Sequence, residues 1–461
     1  MEDKNIRTVR DSLGELTVPA DALYSAQTQR AIDNFPISGE RLPRPFVEAL
    51  IEIKRSAAAA NALLDCIPGA TSKAIIRACD SLMASEDLVD HFPVDVFQTG
   101  SGTSSNMNAN EVIATLASRH VGREVHPNDH VNFGQSSNDV IPTAIHVSAA
   151  RYLAGELLPA LDHLITTIDA KAETLGGICK TGRTHLMDAM PVRMDQCLDG
   201  WSDQLRADVR LLQGIRPAIQ TLALGGTAVG TGINTSTDFA EAFAQQVSER
   251  TGLSFRPAPN FFPLIGSQDT AVALSGLLKT CAVSLMKIAN DLRWMNSGPL
   301  AGLGEITLQP LQPGSSIMPG KVNPVIPEAV AMAAAQVIGN DAAITVGGQS
   351  GNFELNVMLP MIGANLLRSM TLLSNGSRLL ADRAIATFTV NEARLEASLH
   401  RNPILVTALN PVIGYAKAAE IAKTAYREDR PILDVASEHT DLDRAQLAEL
   451  LDPARLTDGG L

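Results

Sequence analysis

Between Thr143 and Leu175 apolar side chains return every three or four positions, at Ile145, Ala149, Leu153, Leu157, Leu161, Leu164 and Ile168. A stripe of that period over about 30 residues calls for a helix two to three times the ordinary length, kinked near Pro159. Comparable stretches cover 192–224, 267–296, 327–347 and 352–383. Long helices with apolar stripes cannot bury themselves singly. The chain is therefore expected to be mainly α, with a central bundle of long helices, and stripes on more than one face suit association of one bundle with another.

The flanks are different. The first 40 residues or so are polar and lack a sustained period, which reads as an irregular lead-in with some strand. From Pro45 the segment FVEALIEIKRSAAAANALLD is helical and Ala-rich, and a second helix is expected over 72–90. After Glu392 the helices shorten, and the RNP at 401–403 and LNPVIGY at 409–415 suggest a small C-terminal domain. No internal repeat is present. At roughly 150 residues per domain, 461 residues allow about three.

Composition narrows the function. A net charge of −13 argues against nucleic acid or an anionic membrane as the main partner. A hydrophobic share of 45% against 19% charged residues argues against disorder. The five cysteines, Cys66, Cys79, Cys179, Cys197 and Cys281, have no zinc-site or disulfide spacing and read as small buried apolar residues in a reducing compartment. The N-terminal MEDKNIRTVRDSLGE lacks the apolar core of a signal peptide, and no stretch approaches about 20 uncharged apolar residues. A cytoplasmic protein with no membrane partner is expected.

The chemistry is expected in loops rich in Gly, Ser, Thr, Asn and Pro, at 98–111, 126–139, 180–185 and 311–328. In the last, Pro313, Pro319 and Pro324 exclude a continuous helix, while Ser315, Ser316, Lys321 and Asn323 offer hydroxyl, ammonium and amide groups. A mobile loop of this kind suits closure on an anion. Ser101, Thr103, Ser104, Ser105, Asn106, Ser136, Ser137 and Asn138 supply neutral donors that suit a carboxylate, or else cap the helices that follow. His185 stands at a polar turn after a helix-like stretch. No metal-ligand spacing and no dinucleotide fingerprint is present, so no metal and no cofactor are expected.

The segment GSSIMPGKVNP at 314–324 resembles the signature loop of the fumarase/aspartase superfamily. TGSGTSSNMNANE, HPNDHVN, QSSND, GRTHLMDA, GGTAVGTGIN, GNFELNV and LNPVIGY resemble the class II fumarate hydratases in the same order, over essentially the whole chain. The resemblance implies a three-domain fumarase/aspartase-like fold, divided here at 1–138, 139–395 and 396–461. It also implies a homotetramer whose active sites take residues from three subunits, acting on fumarate and L-malate in the tricarboxylic acid cycle. It casts Ser315 as the base at C3 of malate and His185, paired with Glu328, as the group that handles water at C2. Ser101, Thr103, Ser136, Ser137, Asn138, Thr184, Ser316, Lys321 and Asn323 are then the carboxylate contacts, and His126, Asn128 and Asp129 form a second dicarboxylate site.

Some residues bear on substrate choice. The Ser137 of QSSND, where ammonia-lyases usually carry Thr, and the Asn352-Phe353 pair favour a fumarate hydratase. NPVIPE at 323–328 is nearer the aspartate ammonia-lyase form, and Val412, Ala416, Phe133 and Gly134 depart from many fumarate hydratases. The alternatives are an aspartate ammonia-lyase and, from another class, a non-enzymatic helical homologue. Retention of Ser315, Lys321, Asn323, His185 and Glu328 speaks against the latter.

Overall fold

The computed structural model describes residues 6–459. The N-terminal reading and the outer edges of the two terminal domains fall partly on residues 1–5 and 460–461, outside the described residues. The chain is mainly α, with four two-stranded sheets and two isolated β-bridges among the described residues. It forms two compact units. One takes the chain up to Pro159 with Val209–Ala282 and Ala334–Ser374; the other takes Ala160–Asp208, Val283–Ala333 and the chain from Asn375.

The first unit opens with an antiparallel hairpin, Ile6–Asp11 with Gly14–Pro19, and a helix, Ala26–Asn34. That helix has no sequence period. It is held from outside: the buried Glu111 carboxylate accepts N–H bonds from Ser25, Gln27 and Thr28 and the Thr28 hydroxyl, satisfying orphan donors at the helix start. The expected helix from Pro45 is Arg44–Leu63, and it buries Phe46, Leu50, Ile51 and Ile53 completely. The helix expected over 72–90 spans Gly69–Met83 and stops there; a 3₁₀ turn, Leu88–His91, follows. Ser85-Glu86-Asp87 breaks the apolar spacing, and the Ser85 hydroxyl bonds the Asp87 carboxylate instead.

The long helices are present with shifted ends. The first starts at Ser137, accommodates Pro142 in its first turns, passes through a π-helical turn at Leu153–Leu157 and continues as Leu158–Thr174. The irregularity thus lies just before Pro159, where the proline removes a ladder donor. The others are Met194–Gly214, Asp269–Met295, Val325–Gln349 and Leu359–Leu380. The stretch 352–358 is a loop, because the fully buried Asn356 amide is used on the Gly347 carbonyl and its backbone N–H on Ile265. Asp269–Met295 and Val325–Gln349 are long and apolar enough, by length and composition, to cross a membrane, although charged residues interrupt both and neither holds about 20 consecutive uncharged apolar residues. Averaged hydropathy admits lone polar residues, and these helices use them on each other: buried Asp341 accepts from Ser275 at 2.8 Å and Lys279 at 2.6 Å.

In the second unit a hairpin, Cys179–Thr184 with Met187–Arg193, occupies a stretch that reads as helix-like in sequence. The short C-terminal helices build a separate apolar core around Leu405, Leu409, Ile421, Val435 and Leu447. Cys79 and Cys281 are buried, while Cys66, Cys179 and Cys197 are half-buried.

Candidate active site

In the first unit the loop at 98–102 enters the helix Thr103–Val121 through Gly102, whose φ of +72° and tight approach to Ile141 leave no room for a side chain. Gly100 packs closer still: a Cβ there would lie 1.9 Å from the Val357 carbonyl oxygen. The Ser101 and Thr103 hydroxyls share a bond of 2.8 Å.

Ser136 caps the helix Ser137–Tyr152. Its hydroxyl accepts from the Asn138 N–H, and its own N–H donates to Asp139 in a capping box. The second Asp139 oxygen accepts from the N–H groups of Gly225 and Thr227, and the Asn138 amide donates to the Ala228 carbonyl. The GGTAVGTGIN turn is thereby fastened to the helix start. Asp139 is fully buried, and burial pushes its carboxyl up to about 6 against the pull of those three N–H donors and of Lys54.

A cavity of about 530 Å³ opens here, lined by Asn106, Asn132, Gln135, Ser136 and Ser137 on one side and by Asn128, Asp129 and Asn234 on others. Thr103 lines a different cleft, beside Arg30 and Thr99. His126 begins a π-helical turn, Pro127–Val131. Its Nδ1 accepts from the N–H groups of Asn128 and Asp129 and lies 3.3 Å from the Asp129 carboxylate. The residues read as a second dicarboxylate site therefore have a local capping role, and two of them share the cavity of Ser136 and Ser137.

The second unit carries the other candidates. Thr184 and His185 are exposed at the tip of the 179–193 hairpin. His185 and Leu186 have φ of +55° and +61°, the left-handed pair that a two-residue hairpin turn requires. The strands beneath are fixed by a charged triad: buried Glu305 accepts from buried Lys180 at 2.6 Å and from half-buried Arg183 at 2.7 Å. Among the described residues no hydrogen bond or ion pair joins His185 to Glu328 within the chain.

The loop at 311–323 closes on itself. The Gly314 N–H donates to the Lys321 carbonyl at 2.9 Å, and the Asn323 amide donates to the Gly314 carbonyl at 2.6 Å. A Cβ on Gly314 would lie 2.3 Å from the Lys321 oxygen. Within this closure the Ser315 Oγ accepts two backbone N–H bonds, from Ile317 at 3.2 Å and Met318 at 2.9 Å. Ser316 and Lys321 are exposed. Lys321, Asn323 and Glu328 line a cleft of about 730 Å³, with Glu328 in the first turn of Val325–Gln349. Ser315 does not line that cleft. Among the described residues no group of three His, Cys, Asp or Glu side chains is arranged to hold a metal ion.

The structure thus brings Ser136 with Ser137, Ser101 with Thr103, and Lys321 with Asn323 and Glu328, and leaves His185 at its hairpin tip and Ser315 outside the cleft of Lys321. Sequence reasoning missed Asn132, Gln135 and Lys54, whereas Asn106 is among the neutral donors it names. Lys54 had a readable signal, since it follows Leu50 and Ile51 by four and three residues and so lies on the apolar face of its helix.

Residues 14–339 match a family model described as lyase, and residues 405–458 match one described as the fumarase C C-terminus. The chain is 67% identical to a fumarate hydratase class II 2 of Pseudomonas aeruginosa, over 99% of both chains. It is 58% identical to a fumarate hydratase class II of Xylella fastidiosa, over 99% of this chain and 96% of that one. Among solved structures, a class II fumarase from Schistosoma mansoni superposes with a TM-score of 0.94 at 37% identity, over 98% of this chain and 99% of that one.

Proposed function

The chain belongs to the class II fumarate hydratase family and is a hydro-lyase, and we propose that it adds water reversibly across fumarate to give L-malate, a reaction of the tricarboxylic acid cycle. The observation that carries the mechanism is the pair of N–H groups on Ser315 Oγ. A serine hydroxyl is a poor base, because its anion is costly in water. Two backbone donors already aimed at the oxygen favour the alkoxide, much as an oxyanion hole does. In the dehydration direction Ser315 takes the proton from C3 of malate, and the C4 carboxylate beside it becomes a doubly charged aci-carboxylate. Lys321 and Asn323 hold that charge, and His185 with Glu328 protonates the hydroxyl that leaves C2 as water. Ser101, Thr103, Ser136, Ser137, Asn138, Thr184 and Ser316 complete the contacts to the two carboxylates. His126, Asn128 and Asp129 take a second dicarboxylate at the outer rim.

The candidates lie on separate loops within one chain, and Val325–Gln349 leaves Met332, Ile338 and Val346 exposed. Both features support a homotetramer in which neighbouring copies complete each site and cover these faces; the three-domain division at 138/139 and 395/396 and a cytoplasmic location belong to the same reading. The test is ultraviolet absorbance of fumarate on mixing the protein with L-malate and, separately, with L-aspartate. Fumarate from malate alone is expected. Fumarate from aspartate alone makes the protein an ammonia-lyase, and none from either refutes catalysis.

A further inference from the structure

Lys54 is fully buried, in the middle of the Arg44–Leu63 helix. Among the described residues no carboxylate lies within ion-pair distance of it. Its ammonium donates instead to two amide oxygens, Asn132 Oδ1 at 2.8 Å and Gln135 Oε1 at 2.9 Å. Two neutral acceptors do not neutralise a buried charge. Such a group is costly to the fold, and burial pushes its pKa down to about 7.

The two amides it touches lead to the substrate cavity. With its oxygen held by Lys54, Gln135 turns its amide nitrogen to the carbonyls of Val131 and Phe133. Asn132 turns its own nitrogen to the Gln135 carbonyl. The backbone just before Ser136 and Ser137 is thus pinned from inside by the lysine. Asn132 Oδ1 also accepts from Asn106 at 3.1 Å, and the same Asn106 amide donates to Ser137 Oγ at 3.0 Å. A hydroxyl oxygen that already accepts one bond offers its proton elsewhere, and the open direction here is the cavity lined by Asn106, Asn132, Gln135 and Ser137.

We propose that Lys54 is a positioning residue for the dicarboxylate: its buried ammonium fixes the Asn132 and Asn106 amides so that Ser137 presents its hydroxyl proton to a substrate carboxylate. This rests on the functional reading above. The role is in binding and not in proton transfer, since Lys54 itself has no exposed surface.

Two titratable groups face Lys54 from neighbouring helices. Asp139 has its carboxyl pushed up to about 6, and Cys79 has its thiol pushed far above the usual range by burial. Cys79 is therefore neutral throughout, Asp139 is ionised above about pH 6, and the lysine loses its proton on passing through about pH 7. Lys54→Met is expected to raise the KM for fumarate by about 10- to 100-fold near pH 6, with kcat within about threefold. The ratio of variant to wild-type KM is expected to shrink by about pH 9, where the wild-type lysine is itself neutral and its two remaining N–H groups donate more weakly. A purely structural lysine would lower the melting temperature without that pH-dependent split. Asn106→Ala keeps the lysine, breaks the relay, and is expected to raise KM by about tenfold; combined with Lys54→Met it should add little further. Asn106→Ala with wild-type KM overturns the proposal whether or not Lys54→Met folds, as does a Lys54→Met KM ratio that does not vary with pH. A wild type that fails to turn over fumarate refutes the functional reading and not this network.

Discussion

The two loops that carry most of the candidate site are stabilised in opposite ways. The loop at 126–139 in the first unit is anchored from below: Asp139 gathers three backbone N–H groups, and Lys54 pins the amides of Asn132 and Gln135. The loop at 311–323 in the second unit is held by bonds within itself, between Gly314, Lys321 and Asn323, with Ser316 through Val322 exposed. The first arrangement suits groups that must not move while they hold an anion. The second suits a group that has to meet a substrate carbon and retire from it, since nothing in the core opposes its displacement. Damage to the first loop should therefore register in stability, and damage to the second in turnover alone.

The largest effect that can sharpen this contrast is Ser315→Ala. Turnover is expected to fall by about 10³-fold or more, with melting temperature and fumarate affinity near wild type and exchange of the malate C3 proton with solvent abolished. Normal C3 exchange in the variant would remove Ser315 as the base. Gly314→Ala comes next. A Cβ would press on the Lys321 carbonyl, so the self-closure must open, and turnover should drop by about 10- to 100-fold while the melting curve hardly moves. A large loss of stability there would break the contrast, because the loop would then be part of the fold's support.

Asp139→Asn tests the anchored side. The amide nitrogen would face N–H groups, donor against donor, at a cost of about 2 kcal/mol in unfolding free energy. The wild-type carboxyl has its pKa raised from 3.8 to about 6, so the native state holds the proton more tightly than the unfolded one. That contribution is complete below about pH 4 and is lost as the pH rises through about 6, so the gap between wild type and variant should narrow over this window in thermal melts. A gap that widens would contradict it. The smallest effect is expected from Leu186→Gly, which relieves a left-handed conformation in the exposed hairpin turn and should stabilise by up to about 1 kcal/mol in denaturant unfolding.

The same division explains what the sequence disclosed. The long helices were legible because their apolar spacing is local, and so were the polar loops, because Gly, Pro, Ser and Asn mark turns wherever they fall. The Ala26–Asn34 helix was not, since the groups that start it belong to Glu111, more than 80 residues away. The hairpin at 179–193 escaped for a similar reason: Glu305 secures its first strand from beyond the helices that intervene. Among site residues, the loop hydroxyls and the amides of Asn138 and Asn323 stand out in the sequence, whereas Asn132 and Gln135 do not, and Lys54 is concealed in an alanine-rich helix, where a lysine ordinarily points to water. The seven residues 352–358 read as helix because of their apolar neighbours, although Asn356 uses its amide to close a turn.

The hydrogen bonds on Ser315 also carry a stereochemical consequence. An oxygen bonded to Cβ and approached by two N–H groups has one tetrahedral direction left, and a proton can reach it only along that line. The two hydrogens on C3 of L-malate are diastereotopic, because C2 is a stereocentre, and a substrate held by both of its carboxylates cannot turn C3 to offer the second in place of the first. Malate deuterated at a single C3 position should accordingly yield fumarate that keeps its label completely or loses it completely, depending on which position was marked.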